Sequence, residues 1–179
     1  MVRKVVAYEL LSLDGCAEEP SEFIADFDDV MEENLGRVIA DQDVVLLGRR
    51  TYDEWASFWP SSDIEPFASF INSVQKYVVT STKPVASWAN TTVIGDGLSD
   101  TLAALKQQAG ADIGVHGSVS LMQSLLADGL VDELRLVVSP VLHGRGRKLF
   151  DGGLSTRLTL TRCVTSPSGC LLLDYDVAH

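Results

Sequence analysis

Val44-Val45-Leu46-Leu47-Gly48-Arg49-Arg50-Thr51 is the stretch on which the reading of this chain turns. Its four apolar residues form a short unbroken run, as expected of a strand buried on both faces. Gly48 then hands the chain over to a helix. Ile113-Gly114-Val115-His116-Gly117-Ser118-Val119-Ser120 repeats the plan further along. A strand that passes through glycine into a helix N-terminus leaves backbone N–H groups and a partial positive charge facing outward, a geometry suited to phosphate.

Working outward from these turns, strand and helix patterns alternate. Residues 4–13 read as a first strand closed by Ser12-Leu13-Asp14-Gly15. Residues 23–40 place Phe23, Phe27, Val30, Met31, Leu35, Val38 and Ile39 at helical spacing. A strand over 43–47 and a helix over 51–58 flank the first turn, and a short helix over 66–73 follows. Strands over 76–80 and 92–94, a helix over 98–108, a strand over 112–115 and a helix over 118–127 complete the alternating part. A strand over 132–139 precedes two antiparallel strands, 158–164 and 170–177, joined across Ser166-Pro167-Ser168-Gly169. The expected architecture is one α/β domain over 1–179, in three α/β/α layers, with a mainly parallel sheet and an antiparallel C-terminal edge.

Composition narrows the function. A net charge of −11 argues against nucleic acid, which needs clustered lysine and arginine. The start Met1-Val2-Arg3-Lys4 runs straight into strand-like sequence, and no stretch approaches a membrane span. The expectation is a cytoplasmic protein. Cys16, Cys163 and Cys170 form no C-x-x-C pair and read as free thiols, and His116, His143 and His179 form no metal-binding pattern.

In so acidic a chain the local cations are informative. Two adjacent arginines oppose a helix dipole that favours anions at its N-terminus. Their planar forks are suited to a phosphate monoester. Two phosphate-facing turns together imply a dinucleotide, and Arg49 and Arg50 beside one of them imply the 2′-phosphate of NADPH. The plainer reading makes Thr51 an N-cap and leaves the arginines in solvent. Thr80, Ser81 and Thr82 end the next buried strand and could hold the adenosine end. Gly117, Ser118, Val119 and Ser120 would receive the pyrophosphate, Gly117 by allowing close backbone approach. Gly48 and His116, the residues that open the two turns, complete the candidate cofactor-binding set. The plainer reading makes Ser118 a helix cap, and His116 reads as structural rather than catalytic.

Asp14 and Glu32 are the candidate proton donors, weighed against a turn aspartate and a solvated helix acid. Trp55 and Trp59 either pack a core or wall a pocket for a flat heterocyclic substrate. The basic loop His143-Gly144-Arg145-Gly146-Arg147-Lys148 reads first as a surface turn and second as another anion site.

Together these segments resemble the dihydrofolate reductase fold, and within it the reductase domain at the C-terminus of the riboflavin-biosynthesis deaminase-reductase, RibD. The motifs that carry the likeness are Ser12-Leu13-Asp14-Gly15, Gly48-Arg49-Arg50-Thr51-Tyr52, Tyr77-Val78-Val79-Thr80-Ser81, His116-Gly117-Ser118-Val119-Ser120-Leu121 and Gly129-Leu130-Val131-Asp132-Glu133-Leu134. Pro140-Val141-Leu142-His143-Gly144 and Leu149-Phe150 extend it. The resemblance implies an NADPH-dependent reductase of a ribosylaminopyrimidine-like substrate, working as a homodimer. It also implies a cis peptide at His116–Gly117. The family's deaminase domain and zinc motifs are absent from the chain, and Tyr52-Asp53-Glu54-Trp55-Ala56-Ser57-Phe58-Trp59-Pro60 stands where an arginine-rich substrate segment is expected. Two other readings remain: a catalytically silent nucleotide-binding module, and a partner-binding protein whose arginines pair with acidic neighbours.

Overall fold

The computed structural model describes residues 2–151, 153 and 155–178. Met1 and His179 lie outside the described residues. Apolar runs become eight strands: β1 (Val5–Leu11), β2 (Gln42–Gly48), β3 (Gln75–Val79), β4 (Thr91–Ile94), β5 (Asp112–His116), β6 (Glu133–Val138), β7 (Leu158–Thr165) and β8 (Leu171–Val177). Five helices connect them: α1 (Asp29–Ala40), α2 (Arg49–Phe58), α3 (Phe67–Ser73), α4 (Leu98–Gln107) and α5 (Val119–Ala127).

The strands form one sheet in the order β4-β3-β2-β5-β1-β6-β8-β7. Pairings from β4 across to β6 are parallel, while β8 is antiparallel to both β6 and β7. Side-chain alternation divides the core between the two faces. Val44 and Leu46 of β2 pack with Leu102 and Leu105 of α4 and Met122 and Leu125 of α5. Val45 and Leu47 turn the other way, toward Tyr52 of α2, Phe67 and Ile71 of α3, and Ile39 of α1. The expected three layers are therefore present, with the antiparallel edge at β8 and β7.

Two expectations need correction. The helix expected over 23–40 begins only at Asp29, because the Asp28 carboxylate accepts the Met31 N–H at 3.1 Å and caps it. Phe23 is buried separately, its ring 5.5 Å from that of His143. The peptide at His116–Gly117 is not cis. The one cis bond among the described residues is Glu65–Pro66, and the chain turns at Gly117 through a φ of 58° instead.

Candidate active site

The order β2-β5-β1 brings the two glycine turns side by side at the carboxyl ends of adjacent strands. They are bonded to each other. The Gly48 N–H donates to Ser118 Oγ at 3.0 Å, and the Thr51 hydroxyl donates to the Gly117 carbonyl at 2.9 Å. Neither hydroxyl caps its own helix, which corrects the plainer reading of both residues. Helix α2 instead begins at Arg49, two residues earlier than the sequence pattern placed it, so both arginines lie in its first turn.

A cleft of about 400 Å³ opens where the turns meet. Its lining includes Gly48, Arg49, Arg50 and Thr51 from the first turn, and Gly117, Ser118, Val119 and Ser120 from the second. Val79 and Leu98 add apolar surface, and Ala17, Glu18, Glu19 and Arg147 come from loops outside the two turns. The arginines rest on carboxylates: Arg49 on Asp53 and Arg50 on Glu54, each at 3.1 Å. Pairs of this exposed i,i+4 kind contribute about 0.3–0.5 kcal/mol, so an incoming phosphate can replace them at little cost.

Gly117 is fixed by its surroundings as well as its backbone. A Cβ there would lie 2.7 Å from Cζ2 of Trp55, so the missing side chain makes room for the indole. At Gly48 a Cβ would meet only ordinary contacts at 3.8 Å from Ser118.

The remaining candidates fall around the cleft rather than in its lining. His116 is buried on the opposite face, its Nε2 2.7 Å from Gln42 Oε1, and burial pushes its pKa down to about 3. It stands neutral as a packing residue. Thr80 Oγ1 donates to the Thr82 carbonyl at 2.7 Å and accepts the Thr82 N–H at 3.0 Å. Ser81 and Thr82 are exposed at the end of β3, just past the cleft-lining Val79. Trp55 and Trp59 sit in an aromatic cluster with Phe67, their centroids 5.5 and 4.9 Å from its ring.

Asp14 accepts hydrogen bonds from Ser12 Oγ at 2.7 Å, the His143 N–H at 2.9 Å and the Gly144 N–H at 2.8 Å. The Ser12 hydroxyl, followed by these N–H groups, holds its carboxyl well below the usual carboxylate range. As placed, Asp14 is an ionised acceptor that fastens the 143–148 loop. Glu32 is exposed on α1.

Glu18 and Glu9 escaped the sequence reading, and Arg147 entered it only as part of the basic loop. Arg147 and Glu18 line the cleft from separate loops. Glu9 is a lone acid in apolar β1, 4% exposed, its pKa pushed up to about 8 by burial against the opposing Leu10 and Gly117 N–H bonds. An acid inside an apolar run was the available signal for Glu9. Arg147 had only the basic loop as its signal.

Two joined glycine turns at the carboxyl rim of an open α/β sheet stand where ligands gather in such sheets. The fold is that of the dihydrofolate reductase-like proteins. The sequence profile of the RibD C-terminal domain matches residues 3–172, and the chain belongs to that family. The uncharacterized protein YyaP of Bacillus subtilis (strain 168) is 28% identical over 168 residues, 91% of this chain and 83% of that one. A solved structure of a putative riboflavin biosynthesis protein from Shewanella sp. PV-4 superposes with a TM-score of 0.80 at 18% identity, covering 98% of this chain and 99% of that one. A pyrimidine reductase-like protein from Corynebacterium diphtheriae NCTC gives a TM-score of 0.70 at 16% identity, covering 99% and 92%. Among the described residues, no helix is long and apolar enough to cross a membrane.

Proposed function

We propose that this chain is a reductase that binds NADPH in the cleft between the α2 and α5 turns. Its acceptor would be a small heterocyclic or ribosylaminopyrimidine-like substrate, as in a 5-amino-6-(5-phosphoribosylamino)uracil reductase of riboflavin biosynthesis. The observation that carries the reading is the pair of cross-bonded turns, Gly48 to Ser118 and Thr51 to Gly117, opening on one arginine-lined cleft.

The residues fit the cofactor. The cleft volume lies in the range of small-molecule sites. Its donors are backbone N–H groups at two helix starts and exposed guanidinium groups, the chemistry that phosphates require. Arg49 and Arg50, with Thr51, would hold the 2′-phosphate side, and Thr80, Ser81 and Thr82 the adenosine end. Ser118, Val119 and Ser120 would receive the pyrophosphate. Gly117 would take part with them by letting the ligand approach its backbone closely. When bound, the cofactor supplies hydride; the protein supplies orientation and charge compensation. Trp55 and Trp59 stay candidates for the substrate wall and Glu32 the acid to replace once a substrate turns over, whereas Asp14, ionised and bonded to the 143–148 loop, would act through that loop and not as a proton donor. Residues 1–179 would form one domain, working in the cytoplasm as a homodimer.

Isothermal titration with NADPH and NADH tests the reading. Tighter NADPH binding by about tenfold, roughly 1.4 kcal/mol, is expected, with the preference lost in Arg49→Glu/Arg50→Glu. Equal loss of both cofactors in that variant contradicts the 2′-phosphate role. NADPH binding without turnover across pterin and pyrimidine acceptors moves the chain to the silent nucleotide-binding reading.

A further inference from the structure

Outside the two turns, one ion cluster in the cleft is left without a role. The 12–19 and 143–149 loops are laced together: the Ala17 N–H donates to the Arg147 carbonyl at 2.9 Å, and Cys16 bridges Lys148. Gly146 has a φ of +77°, and a Cβ there would lie 2.7 Å from Cys16 Sγ, so the loops meet too closely for a larger residue. This packing fixes the backbone of Arg147 while its side chain stays 44% exposed. Its Nη2 donates to Ser120 Oγ, in the first turn of α5, at 2.7 Å.

Beside it lies a carboxylate shared by two guanidinium groups. Glu18 Oε1 is 3.6 Å from Arg147 Nη1 and 4.0 Å from Arg50 Nη1, and Glu18 Oε2 accepts the Arg147 N–H at 3.1 Å. The Glu18 carboxylate thus stands between guanidinium groups contributed by the α2 turn and by the 143–149 loop, within the cleft that both line, while Glu54 holds Arg50 from its other side and Glu19 adds a further acid to the lining.

We propose that Arg147 is a pyrophosphate-binding residue of this cleft, and that Glu18 is an internal anion occupying the same place until ligand phosphate displaces it. The inference rests on the dinucleotide reading above. Exposed ion pairs contribute little. A phosphate offers more acceptor oxygens and more charge than the carboxylate, and engages an arginine fork bidentately. Glu18 therefore sets a threshold: ligands with clustered phosphate charge enter, and singly charged anions of similar size do not. Pyrophosphate is common to NADPH and NADH, so Arg147 governs affinity without choosing between them. Arg49 and Arg50 make that choice.

The test is calorimetric titration of the wild-type chain, Arg147→Met and Glu18→Gln with NADPH, NADH and inorganic pyrophosphate. Arg147→Met should weaken NADPH and NADH by the same factor, about tenfold, the scale of one lost charge-assisted hydrogen bond. Glu18→Gln should tighten all three probes, a gain that a damaged fold does not produce. Unchanged affinities in both variants, or a loss in Arg147→Met confined to NADPH, overturn the proposal. NADPH binding that neither substitution alters sinks this seat and leaves the reductase reading standing. Arg147-dependent binding of pyrophosphate with no binding of NADPH does the reverse. A wild-type chain that binds none of the three overturns both.

Discussion

At Gly117 two constraints coincide: a positive φ and an indole where a side chain would begin. Gly117→Ala should cost roughly 1–2 kcal/mol for the left-handed backbone alone, plus the displacement of Trp55. Gly48→Ala, with ordinary contacts and an extended φ of −73°, should stay within about 1 kcal/mol of wild type. Urea denaturation of the two variants measures the contrast, and equal stabilities would remove the special role of Gly117. Glu9 makes a second prediction. Its carboxyl keeps its proton up to about pH 8 in the folded chain, against an ordinary value of 4.5. The unfolded chain therefore releases that proton first, and stability falls as pH rises from 4.5 to 8, then levels off. Glu9→Gln should flatten this slope, so the gap between variant and wild type widens in the variant's favour across that window. Parallel pH–stability curves would contradict the protonated, buried acid. Sequence showed Glu9 as an acid among apolar residues, but which face it occupied depended on α5, far along the chain.

Among the elements, the strands were legible because most carry a short apolar run, or in β7 an apolar–polar alternation, closed by glycine, proline or a hydroxyl-rich turn. Helix starts were less so. Phe23 and Phe27 continue the helical spacing of α1, yet Phe23 packs on the 143–148 loop and Phe27 is exposed. The start is set by Asp28, whose carboxylate accepts from Met31 and, at 3.0 Å, from the Ser168 N–H. Asp28→Ala should cost about 1–2 kcal/mol, since it removes a helix cap and a tie to the β7–β8 turn together. A melting temperature unchanged from wild type would argue that water replaces both contacts. Thr51 and Ser118 looked like caps for a similar reason: their true partners lie 66 and 70 residues away, beyond any local pattern. The glycine turns were readable in sequence; the bonds that join them were not.

Across the whole molecule the sheet ends in two unequal edges. β4 has four residues, whereas β7 has eight, and Leu160 on it is 51% exposed. Long edges with apolar side chains invite pairing, and short ones do not. The proposed homodimer therefore belongs at β7. Sedimentation velocity should find a dimer that Leu160→Lys converts to monomer, while an unaltered sedimentation coefficient would move the interface elsewhere. The same global view explains why the substrate is harder to read than the cofactor. Phosphate seats are made from helix starts and glycines that sequence displays, whereas a heterocycle's pocket depends on which of Trp55, Trp59 and Phe67 packs inward.

The contact between Trp55 and Gly117 also gives the chain an optical property. The indole touches the backbone of the very turn on which a ligand would settle. Its emission should thus respond to the occupancy of that turn without any added dye. Trp55→Phe would darken this channel while leaving Trp59 and Trp88 as a steady background. A protein so arranged can be screened against phosphate-bearing ligands by light alone.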